Sequence, residues 1–156
     1  MWFRKAAAQD CAAAQTNLGN CYVNGRGVPE DYAEAANWYR KAAEQGDKWG
    51  QYILACCYSR GEGVERDYVE AFKWLRKAAK QGHSDAQYSL GSCYRNGHGV
   101  EIDLPLAYAF FELAADNGHA KAGSQASELE DLMSPSDAET AYDLYEELNE
   151  DWSSDQ

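Results

Sequence analysis

The chain has 156 residues, a length that suits one compact domain or one short repeat array. Fourteen lysines and arginines oppose 26 aspartates and glutamates, and the net charge is −12. Residues 128–156 hold 11 of those acids, so the rest of the chain is nearly neutral. Without a basic stripe the chain cannot release the counterions of a nucleic acid, and its apolar runs are too short to span a membrane. We therefore expect neither nucleic acid nor membrane as a partner.

The sequence repeats itself with a period of 36 residues. Residues 14–49 and 50–85 are identical at 18 of 36 positions, and residues 86–121 share 12 of those identities. We interpret these three blocks as full repeats, each containing two helices. Residues 1–13 resemble the second half of a repeat, because Trp2-Phe3-Arg4-Lys5 aligns with the segment that begins at Trp38.

The first helix of each repeat carries apolar residues at helical spacing, such as Leu18, Cys21 and Tyr22. Gly25 and its equivalents are predicted to end this helix, since glycine enters the left-handed cap without a steric penalty. Ser84 with Gln87 has the spacing of a capping box, which would open the first helix of the third repeat.

The second helix is predicted to begin after Asp31, which forms a capping box with Glu34, and Asp67 with Glu70 repeats the pattern. Its predicted buried residues in the first repeat are Ala35, Trp38 and Ala42. In the third repeat proline stands in the first turn, where it is tolerated.

The C-terminal region departs from the repeat. Residues 120–133 are predicted to form a degraded first helix, residues 134–150 an acidic capping helix that starts at Ser134, and residues 151–156 a tail. The apolar stripe of the capping helix consists of Ala138, Ala141, Tyr142, Tyr145, Leu148 and Trp152. A repeat array needs such a cap with one polar face for solubility.

These motifs resemble the Sel-one-like repeat (SLR) family, a tetratricopeptide-related class. The resemblance is carried by Leu18-Gly19-x-x-Tyr22-x-x-Gly25-x-Gly27-Val28, by Ala35-x-x-Trp38-Tyr39-Arg40-Lys41-Ala42-Ala43, and by Gly46. It implies an all-α fold, a right-handed α/α superhelical solenoid, that acts as a scaffold or adaptor for other proteins. Some relatives are labelled β-lactamases, but no serine here has a lysine three residues on, and the Ser-Asp-Asn and Lys-Thr-Gly elements are missing.

The five cysteines and three histidines carry no predicted chemistry. Cys21, Cys57 and Cys93 share one register on the predicted buried face, where small hydrophobic side chains are expected, and Cys56 is the predicted exposed thiol. The histidines lack the spacing of metal ligands, so we expect no metal and no cofactor. No signal peptide is recognisable, and an odd number of cysteines favours reduced thiols in the cytoplasm.

First-helix positions that differ between repeats predict the binding surface. Thr16, Asn20, Val23 and Asn24 share one helix face, whose equivalents are Tyr52, Cys56, Ser59, Arg60 and then Tyr88, Ser92, Arg95, Asn96. In tetratricopeptide-like arrays the first helices line the concave surface. The predicted partner-binding residues are Asn20, Asn24, Trp49, Tyr52, Arg60, Tyr88, Arg95 and Asn96.

This stripe contains two arginines and no acid within the three full repeats, so an acidic protein or peptide is the predicted partner. Glu128 and Asp131 of the degraded fourth helix are predicted to bound the groove at its far end. Three alternatives remain: plain solvated helix surface, a structural C-terminal piece of a longer array, and, with least support, a β-lactamase-like hydrolase. The apolar N-terminal edge also predicts weak self-association.

Overall fold

The computed structural model describes residues 11–153, which contain eight α-helices and no β-strand. The helices are α1 (Ala12–Asn24), α2 (Tyr32–Glu44), α3 (Lys48–Arg60), α4 (Tyr68–Lys80), α5 (Ser84–Asn96), α6 (Leu104–Asp116), α7 (Ala122–Leu132) and α8 (Pro135–Ser153). The all-α prediction is confirmed. The N-terminal edge with Trp2 and Phe3 lies outside the described residues.

The chain divides into two compact units, residues 1–77 and residues 78–156, and the division falls within α4. In the first unit α2 packs against both α1 and α3. In the second unit α6 packs against α5, α7 and α8. Each unit is therefore built around the second helix of a repeat.

The predicted N-caps of the second helices are confirmed, but the reciprocal half of each capping box is not formed, because the backbone N–H of Asp31 donates to Tyr22 and that of Asp67 to Tyr58. The Asp31 carboxylate accepts a hydrogen bond from the backbone N–H of Glu34 at 3.0 Å, and Asp67 caps α4 in the same way. Gly25 ends α1 with a left-handed φ of 62°. Gly63 is required for space as well, because a Cβ there would lie 1.9 Å from the carbonyl oxygen of Tyr32.

The predicted Ser84 capping box is wrong, because α5 begins at Ser84 itself and its N-cap is His83. The buried His83 ring accepts a hydrogen bond at Nδ1 from the backbone N–H of Ala86, at 3.3 Å. His83 stands at the repeat position of Asp47, whose carboxylate caps α3. An imidazole acceptor therefore replaces a carboxylate at the same cap.

Gln87 instead belongs to a set of buried glutamines that repeats every 36 residues. The set is Gln15, Gln51 and Gln87, exposed by 1%, 4% and 2%. Gln87 donates to the carbonyl of Ala79 at 3.1 Å and accepts from the Asn117 amide at 3.1 Å. Gln51 likewise donates to the carbonyl of Ala43 at 3.2 Å. These amides stabilise helix packing because buried polar groups must be hydrogen-bonded.

The buried aromatic anchor of the second helix is not the predicted tryptophan. Trp38 and Trp74 are only half-buried, and the Lys41 ammonium lies 3.9 Å from the Trp38 ring centroid. The next residue along the helix is buried instead, with Tyr39 2% and Phe111 0% exposed. The predicted burial of the alanines is confirmed, since Ala35 and Ala42 are at most 1% exposed.

Helix α8 covers the second helix of the third repeat. It begins as predicted, because the hydroxyl of Ser134 accepts from the backbone N–H of Asp137 at 3.1 Å. Ala141 is fully buried against α6, whereas Tyr142 is 46% exposed and donates to Glu130 at 2.6 Å. Its last residue is Ser153, three residues beyond the predicted end.

Candidate partner-binding surface

The two predicted asparagines of α1, Asn20 and Asn24, are exposed, and each side-chain amide makes a hydrogen bond within the protein. The Asn20 carbonyl oxygen accepts a 2.7 Å hydrogen bond from the hydroxyl of Tyr39. Burial raises the pKa of Tyr39 to about 12, so this phenol remains a donor at neutral pH. The Asn24 amide donates to the backbone carbonyl of Asn20 at 2.7 Å. Asn20 therefore supports the repeat core as well as the surface.

Thr16 does not belong to the open surface, contrary to the predicted stripe. It is 8% exposed, and its hydroxyl donates to the carboxylate of Asp47 at 3.1 Å. The same carboxylate accepts from the backbone N–H of Gly50 at 2.7 Å. The Thr16 side chain points toward Asp47, the N-cap residue of α3, because a buried hydroxyl is more stable with a hydrogen-bond partner than without one.

Helix α3 displays the open part of the surface in the first unit. Trp49 is 54% exposed in its first turn, and Tyr52, one turn on, is half-buried. Arg60, the last residue of the helix, has a side chain that is 65% exposed and an ion pair of 3.9 Å with Glu62. An exposed pair of this length contributes little stability, so the guanidinium stays available to a ligand.

In the second unit, Tyr88 lies within an aromatic stack. Its ring is parallel to that of His119 at a centroid distance of 4.1 Å and tilted against Phe111 at 5.3 Å. The Nε2 atom of His119 lies 3.5 Å from the carboxylate of Asp85. Tyr88 is therefore a half-buried, positioned side chain rather than a freely rotating one.

Arg95 and Asn96 are adjacent at the end of α5 but lie in different surroundings. Asn96 is exposed. The Arg95 guanidinium donates to the side-chain carbonyl of Gln125 on α7, and it lies 3.5 Å from the carboxylate of Glu128. Both predicted arginines thus lie near a carboxylate, but the Arg95 side chain is only 32% exposed against 65% for Arg60.

The predicted burial is confirmed for Cys57 and Cys93 but not for Cys21, and the predicted exposed thiol, Cys56, is wrong. Cys57 and Cys93 are buried, and burial raises the pKa of each thiol to about 11, which keeps them protonated and inert. Cys21 and Cys56 are half-buried, whereas Cys11, just before α1, is the exposed one. No group of three or more side chains suited to a metal ion occurs among residues 11–153.

Comparison with known proteins identifies the family. The Sel1 repeat model matches residues 1–11, 12–47, 50–83 and 84–119. The chain therefore belongs to the Sel1 repeat family, whose all-α solenoids generally mediate protein–protein interaction. No individual curated protein sequence matches the chain.

Solved structures agree with this assignment. The structure of c5321, a protective antigen present in uropathogenic Escherichia coli strains displaying an SLR fold, is 37% identical with a TM-score of 0.88, covering 97% of this chain and 32% of that one. A Sel1 repeat protein from Oxalobacter formigenes is 34% identical with a TM-score of 0.81, covering 96% and 62%. This chain thus spans about a third of the length of the first and under two thirds of the second.

Helicobacter pylori cysteine rich protein B shares the fold, with a TM-score of 0.63 at 23% identity, covering 79% of this chain and 88% of that one. None of the helices within residues 11–153 combines the length and apolar composition that a membrane span requires.

Proposed function

We propose that the chain is a non-enzymatic scaffold that binds a protein or peptide through the variable side chains of its first helices, the face predicted to be concave. The observation that carries this proposal is the composition of α3. Trp49, Tyr52 and Arg60 follow one another at spacings of three and eight residues, which places them on one face of the helix. Tryptophan, tyrosine and arginine are the residue types that dominate interface energies.

The chemistry of this face favours an acidic ligand. The exposed Arg60 guanidinium offers a forked donor to a carboxylate, and its contact to Glu62 is long enough to be exchanged at little cost. The indole of Trp49, more than half exposed, offers an apolar platform at the other end of the same helix. A peptide that carries both an apolar and an acidic side chain fits this combination.

A cytoplasmic location belongs to the same proposal. All five cysteines are free thiols, and two of them, Cys57 and Cys93, are buried. A reducing compartment preserves such thiols. The alternative is a structural role within a longer array, which the 32% coverage of the Escherichia coli structure favours.

The test uses peptides of defined sequence. A displayed library of random 12-residue peptides is selected against the parent protein, and the synthetic peptides are measured by fluorescence anisotropy. Arg60→Ala and Trp49→Ala should each weaken binding about ten-fold or more, the loss typical of a charged hydrogen bond or an aromatic anchor.

Arg76→Ala is the matched control, because Arg76 is an exposed helical arginine on α4, a second helix. It should leave the affinity unchanged. Equal binding by the parent and both α3 variants would contradict the proposed surface, and selection of basic peptides would contradict the proposed ligand.

A further inference from the structure

Three asparagines of the chain are followed directly by glycine, in the sequences Asn24-Gly25, Asn96-Gly97 and Asn117-Gly118. An asparagine in this position is prone to lose its side-chain amide, because glycine has no Cβ to hinder attack by its backbone nitrogen. All three stand where a helix ends, at the last residue of α1, at the last residue of α5 and directly after α6. The local structure therefore decides which of them reacts.

The backbone is arranged alike around Asn24 and Asn96. Gly25 and Gly97 both adopt a left-handed conformation, with φ of 62° and 73°. The N–H of each glycine donates to the carbonyl of the residue four positions earlier. Because the attacking nitrogen is engaged at both sites, reaction requires the last helical turn to open, as helix ends readily do. The backbone therefore does not distinguish the two sites.

Two of the three side-chain amides are held by hydrogen bonds. The Asn24 amide donates to the backbone carbonyl of Asn20 at 2.7 Å. The Asn117 amide donates to the backbone carbonyl of Leu113 at 2.9 Å and to the side-chain oxygen of the buried Gln87 at 3.1 Å. Each amide gives up these contacts before its carbon can turn toward the following nitrogen, which raises the barrier to reaction.

Asn96 has no such anchor. Its side chain is exposed, and it makes no hydrogen bond within residues 11–153. We propose that Asn96 is a site of spontaneous deamidation, and that it reacts faster than Asn24 and Asn117 in the folded protein. This chemistry is independent of the proposed function, since it needs no ligand and takes only water and hydroxide as co-reactants.

The reaction proceeds through a cyclic imide. The backbone nitrogen of Gly97 gives its proton to hydroxide and attacks Cγ of Asn96. A bond between that nitrogen and Cγ forms, the bond from Cγ to Nδ2 breaks, and the leaving nitrogen takes a proton from water to depart as ammonia. Water then opens the ring at either carbonyl. One product is aspartate in the normal backbone, and the other is isoaspartate, in which the side-chain carbons continue the main chain.

Both products change the end of α5. The new carboxylate adds a negative charge where the helix dipole is already negative. The isoaspartate also lengthens the main chain by a methylene group just before Gly97, which disrupts the 2.8 Å cap between the Gly97 N–H and the Cys93 carbonyl. The deamidated protein should therefore melt at a lower temperature than the fresh protein, and the isoaspartate form at the lowest.

The experiment incubates the folded parent protein at mildly alkaline pH, where the attacking nitrogen is more often deprotonated. Samples are digested with pepsin at acidic pH, which stops the reaction, and mass spectrometry follows the replacement of NH2 by OH in each peptide. Asn24 and Asn117 should react about two- to ten-fold more slowly than Asn96, the factor that corresponds to one typical hydrogen bond.

The urea-unfolded parent is the matched control. Its three Asn-Gly sequences have neither helix caps nor side-chain hydrogen bonds, so they should react at similar rates. Asn96→Gln assigns the fast site, because glutamine closes a larger ring far more slowly. This variant should lose the fastest product and keep the parent rates at the other two sites, and a circular dichroism melt establishes that it is folded.

Two results would overturn the proposal. One is a rate at Asn24 or Asn117 in the folded protein that equals or exceeds the rate at Asn96. The other is an intact Asn96 in the folded protein after a time in which the unfolded chain has reacted at all three sites.

Discussion

The first and third repeats make the same tight helix contact with different chemistry. A Cβ on Gly19 would lie 2.5 Å from the Tyr39 ring, and one on Gly91 would lie 2.7 Å from the Phe111 ring. In both repeats a glycine therefore lets an aromatic ring lie against the backbone of the first helix. The second repeat has the larger Ala55 and the smaller, buried Leu75 at these positions, which preserves the combined volume.

The first and third repeats differ in one hydroxyl group, which Tyr39 has and Phe111, at the equivalent position, lacks. The Tyr39 hydroxyl must be satisfied, and Asn20 does so. Phe111 has no hydroxyl, and Ser92, at the position of Asn20, bonds back to the carbonyl of Tyr88 in its own helix. The residue type at a surface position can therefore differ between repeats because the buried residue beneath it differs. Ligand binding is not the only reason for such variation.

The largest predicted effect compares a buried aromatic side chain of the third repeat, Phe111, with a half-buried one of the second repeat, Trp74. Phe111→Ala should lower the free energy of unfolding by about 3–5 kcal/mol, because the ring is completely buried. Trp74→Ala should cost about half as much, since this side chain keeps contact with water. Urea unfolding followed by circular dichroism measures both free-energy losses. Equal losses would show that the tryptophan contributes as much to the core as the fully buried aromatic side chain.

The glycine contact predicts the next largest effect. Gly91→Ala should cost about 1–3 kcal/mol by overpacking against Phe111. Combining it with Phe111→Leu recreates the pairing of the second repeat, so the double variant should lose less than the sum of the two single losses. Gly123→Ala is the control, because its Cβ would lie 3.9 Å from Ala115, an ordinary contact. If the two losses simply add in the double variant, the alanine–leucine pair of the second repeat is not a compensating replacement for the glycine–aromatic pair.

The hydroxyl pair predicts a smaller, asymmetric effect. Asn20→Ala should cost about 1–3 kcal/mol because it leaves the Tyr39 hydroxyl without its acceptor. Tyr39→Phe should cost about 1 kcal/mol, since donor and desolvation penalty disappear together. In the Tyr39→Phe background, Asn20→Ser should be nearly neutral in thermal melts, as in the third repeat. A large loss there would mean that Asn20 supports the fold by another contact.

The smallest predicted effect depends on pH. Glu112 stands where the first repeat has Arg40, and burial raises its pKa, with Asp116 and Glu130 adding to the shift. A carboxyl whose pKa is higher in the folded than in the unfolded state destabilises the fold above both values. Glu112→Gln should therefore raise the Tm slightly at pH 7.

This gain in Tm should disappear as the pH falls below the ordinary glutamate pKa of about 4.3, because the carboxyl is then protonated in both the folded and the unfolded protein. Glu139→Gln, at an exposed position of α8, controls for overall charge. An equal rise in Tm from both variants would assign the effect to net charge rather than to the environment of Glu112.

Local signals determined the helices because they act between residues a few positions apart. Asp31, Asp67 and Ser134 cap the helices that follow them as predicted, since a side-chain acceptor needs only the N–H groups of the next turn. Gly25 ends α1 as predicted, because its left-handed conformation is a property of one residue. The 36-residue period then predicted the repeat class.

Contacts between helices could not be predicted in the same way, because periodicity defines a helix face but not the partner that meets it. Trp38 and Tyr39 are neighbours on one broad apolar face, and only packing decided that the tyrosine is the buried one. His83 became a cap because α5 begins one residue earlier than predicted.

The amino-acid sequence by itself determined that this protein is an array of Sel1-type helix pairs and which first-helix residues vary. Only the tertiary structure decided which of those residues are open. Trp49 and Arg60 face solvent, whereas Thr16 turns to Asp47 and Arg95 is held by Glu128 of α7. The physical reason is distance, since the last two pairings join residues 31 and 33 positions apart that only helix packing brings together.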